Sequence, residues 1–89
     1  MVEKEIEIVN KLGLHARAAA VLVQEASKFD SEIKIIYEDK NVDAKSILGV
    51  MMLAAMKGDV IKLKAEGEDE IEAMEAIEKL IKDRFGEKE

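Results

Sequence analysis

Apolar and polar residues alternate at the start of the chain, where Ile6 and Ile8 stand between Glu5, Glu7 and Val9. That period of two predicts a strand over Val2 to Val9 with one buried face. Asn10, Lys11 and Gly13 break the alternation. Beyond Leu14 and His15 the apolar positions fall at Ala16, Ala19, Ala20, Val23 and Ala26. Spacings of three and four predict a helix whose small residues face the core. Ser27, Lys28 and Asp30 close it, with Phe29 folding back on the core.

The stretch "EIKIIYE" brings β-branched Ile33, Ile35 and Ile36 before Tyr37, and "EDKN" then supplies turn chemistry ahead of a short "NVDA" segment. This pattern predicts a hairpin. Ser46 follows as an N-cap for a helix from Ile47 to about Leu53, which Gly58 and Asp59 are expected to end. In "VIKLKAEG" Ile61, Leu63 and Ala65 share one face of a further strand. Glu68, Asp69 and Glu70 place negative charge at the positive end of a last helix, with Ile71, Met74, Ile77 and Ile81 as its buried stripe. Lys79, Lys82 and Arg84 gather at its other end, where the dipole favours cations.

The resulting order is β-α-β-β-α-β-α, without repeat, low-complexity tract or linker. A strand inserted between the two strands of a βαβ unit is the split βαβ arrangement. The expected fold class is therefore α/β (α+β): an open-faced β-sandwich in which three helices cover one face of a four-stranded antiparallel sheet. With 89 residues the chain is read as a single domain over residues 1–89, since a second core would starve both of apolar surface.

Composition narrows the function. Apolar residues make up 48% and charged residues 38%, enough to fold and too mixed in sign for a disordered acidic tail. The net charge of −6 argues against nucleic acid or an anionic membrane as the main partner, because both draw affinity from clustered Lys and Arg. Protein partners with basic faces fit better. Cysteine is absent and histidine occurs once, so no metal site and no cofactor are expected. The charged N-terminus lacks the apolar core of a signal peptide, and no apolar run approaches the ~20 residues of a membrane span. Residence in the cytoplasm, without membrane insertion, is the expectation.

Candidate chemistry centres on "GLHARAAA". His15 falls at the N-cap region of the first helix, where the free amides of Ala16, Arg17 and Ala18 and the helix dipole form an anion site. The dipole pushes an imidazole there towards its neutral, nucleophilic form. Arg17 adds a permanent cation whose donors suit phosphate oxygens. Two readings stand side by side at this point: a helix cap beside a solvated arginine, or a carrier of phosphate. Near Ser46, the residues Ile47, Leu48, Val50, Met51, Met52 and Leu53 exceed what one buried face of a short helix needs. Some should stay exposed as a docking patch, with Ile47, Leu48, Met51 and Ala20 as the candidates.

The stretches "GLHARAAA", "SKFDSEI" and "KSILGVMMLA", with the length and element order, resemble the HPr family, the histidine-containing phosphocarriers of the bacterial phosphoenolpyruvate-dependent sugar phosphotransferase system. The resemblance covers nearly the whole chain. It implies that His15 accepts a phosphoryl group through Nδ1 from enzyme I and passes it to IIA domains of sugar permeases, with Arg17 stabilising the phosphate. A phosphocarrier of this kind is a substrate of other enzymes and is expected as a monomer. In low-GC Gram-positive members the serine matching Ser46 is phosphorylated by an ATP-dependent kinase/phosphorylase, and the product works with a catabolite-control transcription factor. The resemblance thus implies regulation at Ser46, and its alternative is a regulatory protein acting mainly through Ser46 and its apolar helix. One departure stands out: the family usually has proline after the arginine, and this chain has Ala18. The alanine restores an amide donor to the first helical turn.

Overall fold

The computed structural model describes residues 1–89. It contains β1 (Val2–Glu7), α1 (Ala16–Ala26), β2 (Glu32–Tyr37), β3 (Lys40–Asp43), α2 (Ile47–Met52), β4 (Val60–Glu66) and α3 (Glu70–Lys82), followed by a single 3-10 turn over Arg84–Gly86. The sheet order is β1-β4-β2-β3 and every neighbouring pair is antiparallel. Because β1 and β2 both pair with β4, they run parallel to each other with β4 inserted between them. The expected split βαβ arrangement is present.

Alternation decides which face the helices cover. Ile6 stands opposite Ile61, Ile33 opposite Ala65 and Ile35 opposite Leu63, and all six are buried under the helices. The other face carries Glu3 opposite Lys64 and Glu5 opposite Lys62, opposite charges that suit a solvated sheet surface. At the outer edge, Lys4 stands opposite Leu63 and so leans to the helix side, where its ammonium meets Glu78 of α3 at 2.7 Å. An inward-leaning lysine blunts an edge strand that would otherwise invite pairing.

Two helical stripes differ from the sequence expectation. In α1 the buried residues are Ala18, Ala19, Leu22 and Ala26, while Ala16 is exposed and Ala20 and Val23 are half-buried. Ala16 and Arg17 sit at the helix mouth, where the chain leaves the end of the sheet, so the buried row starts later and runs i, i+4, i+8. In α3 the row is Ala73, Ile77 and Ile81 with Met74 beside it, and Ile71 is 53% exposed. Ile71 lies two positions before Ala73, about 200° round the helix, which turns it away from the sheet. A residue's apolarity does not set the phase of its helix.

Two turn assignments also change. α2 ends at Met52 with Leu53 as its C-cap, so Gly58 and Asp59 belong to the turn that enters β4 and do not end that helix. Asp69 stands at the N-cap of α3 without capping it. Its carboxylate instead accepts hydrogen bonds from the amides of Asp30 and Ser31, both at 2.9 Å, and from the Ser31 hydroxyl. The Ser31 hydroxyl foremost, then the Asp30 amide, holds the Asp69 carboxyl below its ordinary value. The α1–β2 junction is thereby tied to the start of α3, with Gly67 packed so closely on Ser31 that a Cβ would lie 2.6 Å from its hydroxyl.

Candidate functional site

The loop between β1 and α1 builds the site. Asn10 is fully buried, and its side-chain amide donates to the Gly13 carbonyl at 2.8 Å. Gly13 has φ +68°, a conformation that favours glycine. A Cβ there would meet the Ala55 carbonyl oxygen at 2.5 Å, because the loop lies directly on the segment after α2. The Leu14 amide donates to that same Ala55 oxygen at 2.9 Å, and Leu14 is buried.

The rigid loop delivers His15 to the N-cap of α1 in an extended conformation, φ −71° and ψ 176°. Its carbonyl accepts the first helical hydrogen bond, from the Ala19 amide at 2.8 Å. The amides of Ala16, Arg17 and Ala18 are therefore the free ones of the first turn. The imidazole does not cap the helix. Its Nε2 lies 2.7 Å from Oε2 of Glu87, a residue that follows the last helix.

Glu87 was not legible as part of the site. Its other oxygen, Oε1, accepts from the Asn10 amide at 3.1 Å, so one carboxylate joins the loop and the imidazole. Burial pushes the Glu87 carboxyl up, but the hydrogen bonds from His15 and Asn10, aided by the nearby Arg17, outweigh it and hold the group below its ordinary value. The following residues continue across the loop: the Lys11 amide donates to the Glu89 carbonyl at 2.6 Å, and its ammonium pairs with the Glu89 side chain at 3.3 Å. The available sequence signal was "FGEKE", an apolar residue and a glycine just past a helix, which marks a chain reversal without saying where it lands.

An open recess of about 450 Å³ lies in front of His15, walled by Leu12 and by the charged residues Lys11, Arg17, Glu87, Lys88 and Glu89. Arg17 is exposed and takes part in none of the protein's ion pairs, so its guanidinium is free to meet an anion. Three basic side chains, Lys11, Arg17 and Lys88, against two carboxylates, Glu87 and Glu89, suit the recess to a tetrahedral oxyanion. The imidazole presents Nδ1 as the nitrogen not engaged by Glu87.

The short helix α2, packed against α1, carries its own features. Ser46 caps the helix, its hydroxyl oxygen accepting from the Gly49 amide at 3.1 Å. Ile47, Leu48 and Met51 are exposed, as expected of a docking patch, and Ala20 of α1 is half-buried. Val50 and Leu53 are the residues that turn inward. The exposed apolar set also includes Leu12, Met52 and Met56, of which Leu12 and Met56 belong to the segments that meet at Gly13.

Residues 2–83 match the family described as PTS-HPr, the PTS HPr component phosphorylation site. The chain belongs to the HPr family of phosphocarriers. It is 54% identical over 89 residues to the phosphocarrier protein HPr of Neisseria meningitidis serogroup A, covering 100% of both chains. It is also 56% identical over 77 residues to the HPr-like protein Crh of Halalkalibacterium halodurans, covering 86% of this chain and 92% of that one. Among solved structures it is similar to HPr-C-His from Thermoanaerobacter tengcongensis, with a TM-score of 0.96, 54% identity and full coverage of both chains. The HPr match ends at residue 83, four positions before Glu87.

Proposed function

We propose that this phosphocarrier takes its phosphoryl group on Nδ1 of His15 from phosphorylated enzyme I and passes it to the IIA domains of sugar permeases. The observation that carries the reading is the placement of His15: an N-cap residue whose side chain is not spent on capping, facing a recess that the unpaired Arg17 also lines. The Nδ1 lone pair attacks phosphorus as the donor's bond to it breaks. The amides of Ala16 and Arg17 and the Arg17 guanidinium then hold the phosphate oxygens. Ala18 has the amide that proline lacks, but the residue is buried whole, so the amides left to meet the phosphate are those of Ala16 and Arg17. The protein is on this reading a cytoplasmic, monomeric substrate of other enzymes, with Ile47, Leu48, Met51 and Ala20 meeting both partners.

The test is incubation with enzyme I and labelled phosphoenolpyruvate. Label on the protein should be acid-labile and base-stable, as phosphohistidine is. Arg17→Ala should slow its uptake about tenfold to hundredfold, the worth of a charge-assisted contact with the transferring group. Uptake at the parent rate would remove Arg17 from the site.

Ser46 supports regulation as a second layer. Its oxygen accepts from Gly49, which leaves the hydroxyl proton free for replacement by phosphate while the cap persists. A phosphate there adds roughly −1.5 to −2 of charge at a helix N-terminus, which the dipole accommodates. A serine kinase/phosphorylase and a catabolite-control transcription factor are the partners this reading implies. Ser46→Asp should unfold within about 0.5 kcal/mol of the parent, since aspartate is also a good N-cap, yet take phosphate on His15 more slowly because its charge sits in the docking patch. Equal rates of phosphorylation by enzyme I would refute the switch.

A further inference from the structure

We propose that Glu87 is a positioning residue for the phosphoryl acceptor: its carboxylate keeps a proton on Nε2 of His15 and so leaves Nδ1 as the nucleophilic nitrogen. The proposal rests on the reading of His15 as the acceptor and adds a residue that lies outside the segment matched to the family.

Three observations converge on it. First, the contact is short and directional, 2.7 Å from Oε2 to Nε2. A carboxylate can only accept, so the ring nitrogen facing it must carry the hydrogen. Second, the carboxylate is itself held in one orientation. The Gly13 carbonyl can only accept, which fixes the Asn10 side chain with its NH2 towards Gly13, and the same NH2 donates to Oε1 of Glu87. Donor and acceptor roles are thus determined from the backbone of Gly13 through Asn10 and Glu87 to the imidazole. Third, the chain adopts an unfavourable path to bring Glu87 there. Arg84 and Phe85 both have φ +55°, in the left-handed region that non-glycine residues avoid, and Phe85 is buried as an anchor. Gly86 follows at φ +79° and completes the reversal.

The chemistry needs that proton in that place. When Nδ1 attacks, a nitrogen–phosphorus bond forms and the donor's bond to phosphorus breaks. Nε2 keeps its hydrogen, so the phosphorylated ring is a cation that faces the Glu87 carboxylate. In onward transfer the electrons of the Nδ1–phosphorus bond return to the ring, which departs as neutral imidazole. A ring without the Nε2 proton would have to depart as an imidazolate anion, a far poorer leaving group. The other charged groups facing the ring are Arg17 of α1, Lys11 of the loop, and Lys88 and Glu89 of the C-terminal segment. Of these five neighbours, Glu87 is the one hydrogen-bonded to the ring.

The experiment compares the full-length protein with Glu87→Ala and Glu87→Gln. Long-range 1H–15N spectra read the His15 tautomer, and enzyme I with labelled phosphoenolpyruvate reads the rate of phosphoryl uptake. The parent protein should show hydrogen on Nε2, and Glu87→Ala a mixture of tautomers. In Glu87→Gln the amide oxygen must turn to Asn10, so its NH2 faces Nε2 and drives the hydrogen to Nδ1. Uptake should then fall in the order parent, alanine variant, glutamine variant, with the last about tenfold or more below the parent. A merely structural role predicts the two variants in the opposite order, because glutamine fills the space of glutamate better than alanine does. Hydrogen on Nδ1 in the parent, or a tautomer ratio unmoved by both substitutions, would overturn the proposal. If the parent takes no phosphoryl group, the carrier reading fails, while the spectra still decide what Glu87 does.

Discussion

Replacing His15 with alanine is expected to abolish phosphoryl uptake while leaving the fold in place. The chain has one histidine and no cysteine, and the other side-chain nitrogens around the recess are lysine ammoniums and a guanidinium, which carry no lone pair for attack. No neighbour can therefore take over as nucleophile. The loss should exceed about three orders of magnitude, as removal of a sole nucleophile does. Stability should change little, by about 1 kcal/mol, because the imidazole makes no capping bond and its lost partner, Glu87, keeps Asn10. Label transfer and denaturant unfolding, measured on one preparation, check both halves; residual label with histidine-like lability would contradict the assignment.

The second large effect is expected two residues upstream. Gly13→Ala would place a methyl 2.5 Å from the Ala55 carbonyl oxygen and 2.8 Å from the Met56 Cα. Both are backbone atoms and cannot swing aside as a flexible side chain would. The left-handed conformation adds ~1–2 kcal/mol for a residue with a Cβ. The loop must then move off the segment after α2, which endangers the Leu14 to Ala55 hydrogen bond and the Asn10 to Gly13 bond together. A destabilisation of about 3 kcal/mol or more is expected, with slower uptake because the same bonds orient Glu87. An unfolding midpoint equal to the parent's would show that the loop tolerates the displacement and that its rigidity is not what positions His15.

Periodicity carried the element order, since alternation in "EIEIV" and "VIKLKA" and the hairpin chemistry of "EDKN" act over a few residues. His15 and Ser46 could be placed at helix mouths for the same reason, because a cap is defined by the residues that follow it. What escaped was set by contacts between distant segments. His15 and Glu87 are 72 positions apart, and no local pattern links a histidine at the first helix to a glutamate beyond the last. Asp69 looked like helix-terminus charge and is in fact a tie to Asp30 and Ser31. The apolar letters place Ala16 and Ile71 in the core, whereas both are exposed, because the phase of each helix against the sheet depends on packing that the letters alone do not fix. The helix dipole is likewise not alone at His15, since the Glu87 carboxylate, which no local pattern could place there, shares the ring with it.

The HPr family membership and the geometry of the recess meet in one claim: the phosphoryl group is bonded to Nδ1 of His15 while Nε2 keeps its hydrogen towards Glu87. The most direct measurement is nuclear magnetic resonance of 15N-labelled protein phosphorylated by enzyme I and phosphoenolpyruvate, reading phosphorus–nitrogen coupling and the protonation of each ring nitrogen. Coupling from phosphorus to Nδ1 of His15, with hydrogen on Nε2, is the predicted result. Phosphorus on Nε2 or on Ser46, or no phosphorylation by a competent enzyme I, would contradict it.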